Sequence, residues 1–177
     1  KNHNYYKKRD KEIFKVSKLF NFNSVHNLSL ETTKVDQYTM AEIIEKLSKV
    51  INKVRPNIIY LPFKEDVHTD HKKIFEASSS CTKSFRYPFI KKIYMMETLS
   101  ETEFAPSIEK KWFIPNTYVD ISKYMSKKIQ IMKVYKGELN KHPFPRSEKS
   151  IKALATFRGS TSGCKFAESF VLLKEVF

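Results

Sequence analysis

The stretch Asn57-Ile58-Ile59-Tyr60-Leu61-Pro62, followed closely by Asp66-Val67-His68-Thr69-Asp70-His71, decides how this chain is read. An apolar run of that length fits a buried strand, and the polar cluster falls where such a strand ends and a helix begins. Open α/β sheets build their sites at that junction. Two histidines and two aspartates within six residues are suited either to binding a catalytic zinc or to moving protons near neutral pH. Both roles stay open on the residues alone.

Working outward, residues 6 to 20 read as an amphipathic helix, with Ile13, Val16, Leu19 and Phe20 at helical spacing. Ser24 to Leu30 alternates apolar and polar side chains, which predicts a half-buried strand. Thr39-Met40-Ala41-Glu42 has the form of a capping box, and Met40, Ile43, Ile44, Leu47, Val50, Ile51 and Val54 hold one helical stripe. Arg55-Pro56 stops that helix. After the polar cluster, Ile74, Phe75 and Ser78 continue a helix, and Lys92 to Glu97 reads as the next strand. The alternation predicts an α/β fold with a mostly parallel sheet. Residues 101 to 116 read as loops. Two further helices follow, one after Asp120-Ile121-Ser122 and one from Ser147 to about Phe157.

The 177 residues suit one domain. Cys81 and Cys164 form no Cys-x-x-Cys pair, so a reducing cytoplasm is expected, with both cysteines serving as small buried side chains. No run is long enough to span a bilayer. The three glycines come late in the chain, which excludes a phosphate-binding glycine loop beside the early strands. The balance is 33 basic against 19 acidic residues, a net charge of +14. All but five of the basic residues are lysines scattered along the sequence, which reads as a solvated surface and not as a nucleic-acid face.

Chemically, a histidine in the first turn of a helix can offer a ring nitrogen to a metal with little entropy left to lose, and His71 fits that position. His68, three residues earlier, lies on nearly the same face and could act as an imidazolium toward an oxyanion. Asp70 or Asp66 could fix its tautomer. A catalytic zinc needs three protein ligands, and no second cluster exists in this sequence. The inventory is part of a site.

Tyr60 to His71 resembles the Asp-x-His-Pro-Asp-His segment of the LmbE-like, or PIG-L, family of zinc-dependent N-acetylglucosaminyl deacetylases, with Thr69 in place of proline. Other segments match in the family's order: Arg9-Asp10-Lys11-Glu12, Arg55-Pro56-Asn57, Pro115-Asn116 with Val119-Asp120-Ile121-Ser122, and Pro143-Phe144-Pro145-Arg146-Ser147. The last is Arg158-Gly159 with Gly163 and Ala167-Glu168-Ser169-Phe170. Phe144 stands where histidine is usual, and Phe166 where tyrosine is.

The resemblance implies a Rossmann-like sheet with flanking helices and hydrolysis of an N-acetyl group from an N-acetylglucosamine-type sugar conjugate, releasing acetate and an amine. It implies zinc as cofactor, His71 as a zinc ligand, His68 as the oxyanion group and Asp70 as its electrostatic partner, with Asp66 structural beside them. Arg9, Arg146 and Arg158 are implied as substrate-side residues. The family's Pro-His-x-Asp-Asp-Glu motif, which supplies the other ligands and the base, is absent. The expectation is therefore one domain over residues 1–177 that lacks its first strand, helix and strand, inactive by itself and with negligible zinc affinity. A small sugar conjugate is the expected partner, with no nucleic acid and no membrane span, and homo-oligomerisation is left open. The competing reading is a non-catalytic module, either a degenerate sugar-binding domain or a basic nucleic-acid-binding one.

Overall fold

Thr39 begins the clearest helix as its sequence requires: its hydroxyl accepts the Glu42 amide at 3.3 Å, and the Glu42 carboxylate takes the Thr39 amide at 2.8 Å. A computed structural model describes residues 3–106, 108 and 111–177, residues 3–6 by their backbone only. Among these, the elements in chain order are α1 (His3–Phe20), a single 3-10 turn (Val35–Gln37), α2 (Met40–Val54), β1 (Ile58–Pro62), α3 (Thr69–Ser80), β2 (Lys92–Met96), β3 (Thr117–Asp120), α4 (Met125–Met132), α5 (Glu148–Ser162) and β4 (Ala167–Glu175). The fold is α/β. The chain divides into two compact units, residues 1–27 with 120–167 and residues 28–119 with 168–177.

The second unit is the sheet unit, with strand order β1-β2-β4-β3. β1 and β2 are parallel, in register from Ile58 opposite Lys92 to Pro62 opposite Met96. β4 runs antiparallel to β2, so the sheet is mixed where the sequence pattern predicts mostly parallel strands. The antiparallel register sets Glu175 against Lys92 at one end and Ser169 against Glu97, at 2.8 Å, at the other. Ile59, Leu61 and Ile93 face α2 and α3 in a core with Cys81, Tyr87 and Ile90. A neighbouring cluster joins Val35, Ile43 and Ala77. Burying these side chains against two amphipathic helices is what fixes the C-terminal end of β1 in place.

α2 ends where Arg55 takes a left-handed conformation (φ 50°) before Pro56, its guanidinium 4.4 Å from the Phe89 ring centre. The segment Ser24–Leu30 is not a strand. Ser29 has φ 53°, outside extended geometry, and Leu30 reaches the Val35 cluster instead. Two strands arise where the sequence reading placed none, β3 and β4. The helix expected to stop near Phe157 continues to Ser162.

In the helical unit, Ser147 caps α5 by accepting the Ser150 amide at 3.0 Å, and Gly163 ends it at φ 76°. Gly159 is required for a different reason. The chain folds back so tightly that the Cys164 amide donates to the Gly159 carbonyl at 2.9 Å, and a Cβ on Gly159 would meet the Cys164 carbonyl oxygen at 2.6 Å and the Lys165 carbonyl carbon at 2.8 Å. These are backbone atoms that no rotamer change can move. Gly159→Ala is therefore expected to destabilise the protein by about 2 kcal/mol despite alanine's better helix propensity. A urea midpoint equal to or above that of the wild type would contradict this.

Candidate active site

The strand-to-helix junction of the sheet unit is built by side chains that cap backbone. His68 is the N-cap of α3, its Nδ1 accepting the Asp70 amide at 3.1 Å. An amide can only donate, so Nδ1 carries no proton and neutral His68 holds its hydrogen on Nε2. The ring is then a neutral donor, in contrast to the imidazolium considered from sequence. One turn on, the His71 ring stacks against it, with centroids 5.2 Å apart and planes at 22°.

His71 is oriented by Asp66. Its Nδ1 lies 2.7 Å from Asp66 Oδ2, and Asp66 is completely buried. The other carboxylate oxygen accepts the Thr102 hydroxyl at 2.7 Å, and Thr102 Oγ1 itself accepts the Thr98 amide at 2.9 Å. The direction of each hydrogen bond follows. The Thr98 amide fills the acceptor side of the hydroxyl, whose proton goes to Asp66, and Asp66 as an anion takes the His71 Nδ1 hydrogen. His71 is left with Nε2 as its free lone pair, the state in which a metal-binding histidine is held by a carboxylate behind it. The hydrogen bond to Asp66 raises the His71 pKa above the ordinary histidine value. Burial opposes this, and the charges of Asp66, Glu101 and Asp70 add to it.

Asp70 does something else than the sequence reading assigned to it. Its carboxylate accepts the amides of Thr33 at 2.7 Å and Val35 at 3.3 Å, so it pins the segment before α2 and only its backbone N–H touches His68. The physical reason is burial: at 8% exposure the carboxylate needs donors, and two backbone amides supply them. Thr102 was not foreseen. It lies 36 residues from Asp66, in the loop after β2, and the Val67 amide bonds the Glu101 carbonyl at 3.2 Å to tie the same two loops together. Thr102→Val, which keeps the shape and removes the hydroxyl, should cost about 1.5 kcal/mol by stripping a donor from a buried carboxylate, and Thr102→Ser should restore most of it. Equal urea stabilities for the valine variant and wild type would refute the role.

In the helical unit, Arg9 and Arg146 converge on one residue. Both guanidinium groups bind the Glu138 carboxylate, Arg146 at 3.1 Å, and Arg146 Nε also donates to the Glu138 carbonyl at 3.1 Å. Arg9 lies 3.4 Å from Glu12 and over the Tyr135 ring, while Glu12 accepts the Lys136 amide at 3.1 Å. Arg158 stacks on Phe157. The arginines expected on the substrate side are thus engaged within their own unit, Glu138 being the acceptor that Arg9 and Arg146 share.

No group of three or more metal-binding side chains occurs among the described residues. His71 has the donor chemistry of one zinc ligand, and a tetrahedral catalytic centre needs three from protein. The residues described here therefore do not form a zinc site by themselves.

A parallel strand pair packed against helices thus carries a carboxylate-held histidine just beyond the strand's carboxyl end. Residues 1–82, which include that junction, match the model of the PIG-L family, GlcNAc-PI de-N-acetylase. Solved structures share the fold. N,N'-diacetylchitobiose deacetylase from Pyrococcus horikoshii superposes with a TM-score of 0.65 at 17% identity, over 94% of this chain and 63% of its own. The A40926 pseudoaglycone deacetylase Dbv21 gives 0.67 at 16% identity over 96% and 72%. GalB, the 4-carboxy-2-hydroxymuconate hydratase of Pseudomonas putida KT2440, gives 0.63 at 13% over 97% and 73%. No helix among the described residues is long and apolar enough to cross a membrane.

Proposed function

We propose that this chain carries part of the active site of a zinc-dependent amide hydrolase that removes the N-acetyl group of an N-acetylglucosamine-type sugar conjugate, releasing acetate and a free amine. The observation that carries the reading is the pair of stacked imidazoles with fixed and opposite tautomers, His71 with a free Nε2 lone pair and His68 with an Nε2 hydrogen. The PIG-L match over the same residues supports the acyl-sugar chemistry.

In this reading His71 is one zinc ligand, and the others come from outside the described residues. Zinc, when bound, brings the pKa of a water toward ~7. His68 donates its Nε2 hydrogen to the oxyanion that develops as the acetamide carbonyl becomes tetrahedral, a position where a fixed donor stabilises the transition state more than the ground state. Asp66 holds His71 in the ligating tautomer, and Thr102 holds Asp66. Asp70 keeps the N-terminus of α3, and with it the His68 backbone, against the Thr33–Val35 segment. Arg9, Arg146 and Arg158 are the substrate-binding residues of this reading, the first two joined through Glu138 and the third stacked on Phe157.

The test is acetate release from GlcNAc-phosphatidylinositol and from N,N'-diacetylchitobiose by the complete protein, with zinc and with a chelator. Turnover that the chelator abolishes and His71→Ala removes supports the reading. Binding of either sugar with no acetate released would instead favour the non-catalytic module. The 177-residue chain alone is expected to be inactive and to retain no stoichiometric zinc, checked by elemental analysis, because one imidazole is too few ligands.

A further inference from the structure

The charge of this protein is not spread evenly. Residues 1–27 and 120–167, which form the helical unit, hold 18 Lys and Arg against 5 Asp and Glu, a net +13, whereas the sheet unit holds 15 against 14, a net +1. Nearly the whole excess belongs to the unit that contains α1, α4 and α5.

Within that unit α1 has an unusual outer face. Glu12 and Val16 are buried and Arg9 is half-buried, which defines the inward side. Lys7, Lys11, Phe14 and Lys18 follow at i, i+4, i+7 and i+11, so they form one stripe, and all are exposed. Lys8 and Lys15 flank it, and Asp10 is the one acid on the exposed side of residues 7–18. Phe14 is 65% exposed in the middle of this stripe, with Lys18 Nζ 5.4 Å from its ring centre. At the end of the helix, Phe20 stacks at 5.1 Å on Phe22, two residues further on, and both are also about half exposed. Three phenylalanines held in water among lysines gain nothing from the fold that exposes them.

We propose that the outer face of α1 docks the protein peripherally on an anionic phospholipid surface. The lysines would lie against lipid phosphates, and the rings of Phe14, Phe20 and Phe22 would enter the interfacial layer. A bilayer interface is the partner that takes both components, since long basic side chains and exposed aromatic rings bind it together. Nucleic acid fits the face less well. The stripe is all lysine with no guanidinium fork, and it is the convex surface of a helix, whereas aromatic stacking on single strands uses a groove that follows the backbone. The inference does not depend on the deacetylase reading.

The experiment is cosedimentation of the 177-residue chain with phosphatidylcholine vesicles, with and without phosphatidylserine, alongside binding to single-stranded and duplex DNA. Binding to the phosphatidylserine vesicles only, weakened by salt, is expected. Lys7→Gln, Lys11→Gln and Lys18→Gln should each weaken it roughly fivefold. Phe14→Gln keeps every charge and a good helix former, and should also weaken it. In Phe14→Trp, a blue-shifted emission on adding anionic vesicles, absent from wild-type protein with its single Trp112, would place the ring in the interface. Vesicle binding that ignores Phe14 and the three lysines, or binding to DNA with vesicles left unbound, overturns the proposal. All these positions are exposed, so circular dichroism is expected to show unchanged folding and to keep each result interpretable.

Discussion

His68→Ala in the complete enzyme should lower turnover by roughly 100-fold, with zinc content unchanged. The expectation rests on two separate features of the ring. Its Nδ1 is occupied by the Asp70 amide, so the group it can offer is the Nε2 hydrogen, and a fixed donor aimed at developing negative charge acts mainly on the transition state. Its neighbour His71 has the opposite arrangement, with the hydrogen toward Asp66 and the lone pair outward. Removing His68 should therefore reduce kcat while KM changes little, whereas removing His71 should reduce zinc content first. His68→Gln is a useful companion, because an amide can donate while its carbonyl keeps an acceptor for the cap. Partial recovery by glutamine would support hydrogen-bond donation. Loss of zinc from His68→Ala would show instead that the two histidines share the metal.

An alternative origin for a rate loss is structural, since His68 also caps α3. Replacing a capping side chain by alanine costs about 1 kcal/mol. That is a stability effect readable by urea denaturation, and it is too small to mimic a 100-fold loss of turnover in protein that remains folded under assay conditions. The two effects are separable in a variant that replaces Asp70 by asparagine, which leaves the amide that His68 accepts in place but weakens the hold on Thr33 and Val35.

What could be read from the sequence was whatever depends on neighbours along the chain. The capping box at Thr39, the helical stripe from Met40, the stop at Arg55-Pro56 and the apolar strand to Pro62 are all local patterns, and each occurs where the spacing puts it. The side chains that matter at the junction were also legible, because imidazole and carboxylate are rare enough together to be noticed. Their partners were not. Asp70 finds its donors 37 and 35 residues earlier, and Asp66 finds its second donor 36 residues later. Nothing in the spacing Asp-x-x-x-Asp-His distinguishes the carboxylate that holds a histidine from the one that holds a backbone.

β4 escaped for a related reason. Ala167–Glu175 fully buries only the small Ala167 and Ser169, while its apolar run Phe170 to Leu173 is part-buried or exposed, so no alternation of buried apolar and exposed polar side chains marks it as a strand. Its strand character comes from pairing with β2, which the sequence does not announce. The charge distribution was hidden in the same way. Lysines look scattered along the chain until residues 1–27 and 120–167 are joined in one unit.

Asp66→Ala should be the most destabilising single change at the junction, by about 3 kcal/mol in urea or thermal denaturation. The side chain is fully buried and satisfies two donors at 2.7 Å, so its loss leaves the Thr102 hydroxyl proton without an acceptor, the His71 Nδ1 hydrogen without its carboxylate, and a void behind both. Because Thr102 and His71 act through the same carboxylate, their substitutions should be non-additive with Asp66→Ala, and a double-mutant cycle should show Thr102→Val costing almost nothing in that background. The pH dependence has a fixed sign. Asp66 raises the folded-state pKa of His71, so metal-free protein has the full benefit of the ion pair below the unfolded histidine value of ~6.5 and loses it as pH rises through the folded value. Asp66→Asn, which cannot supply the charge, should remove that dependence. The stability difference between wild type and the asparagine variant should therefore shrink from mildly acidic to mildly alkaline pH, and a difference that grows over the same range would mean that His71 is not the group Asp66 serves.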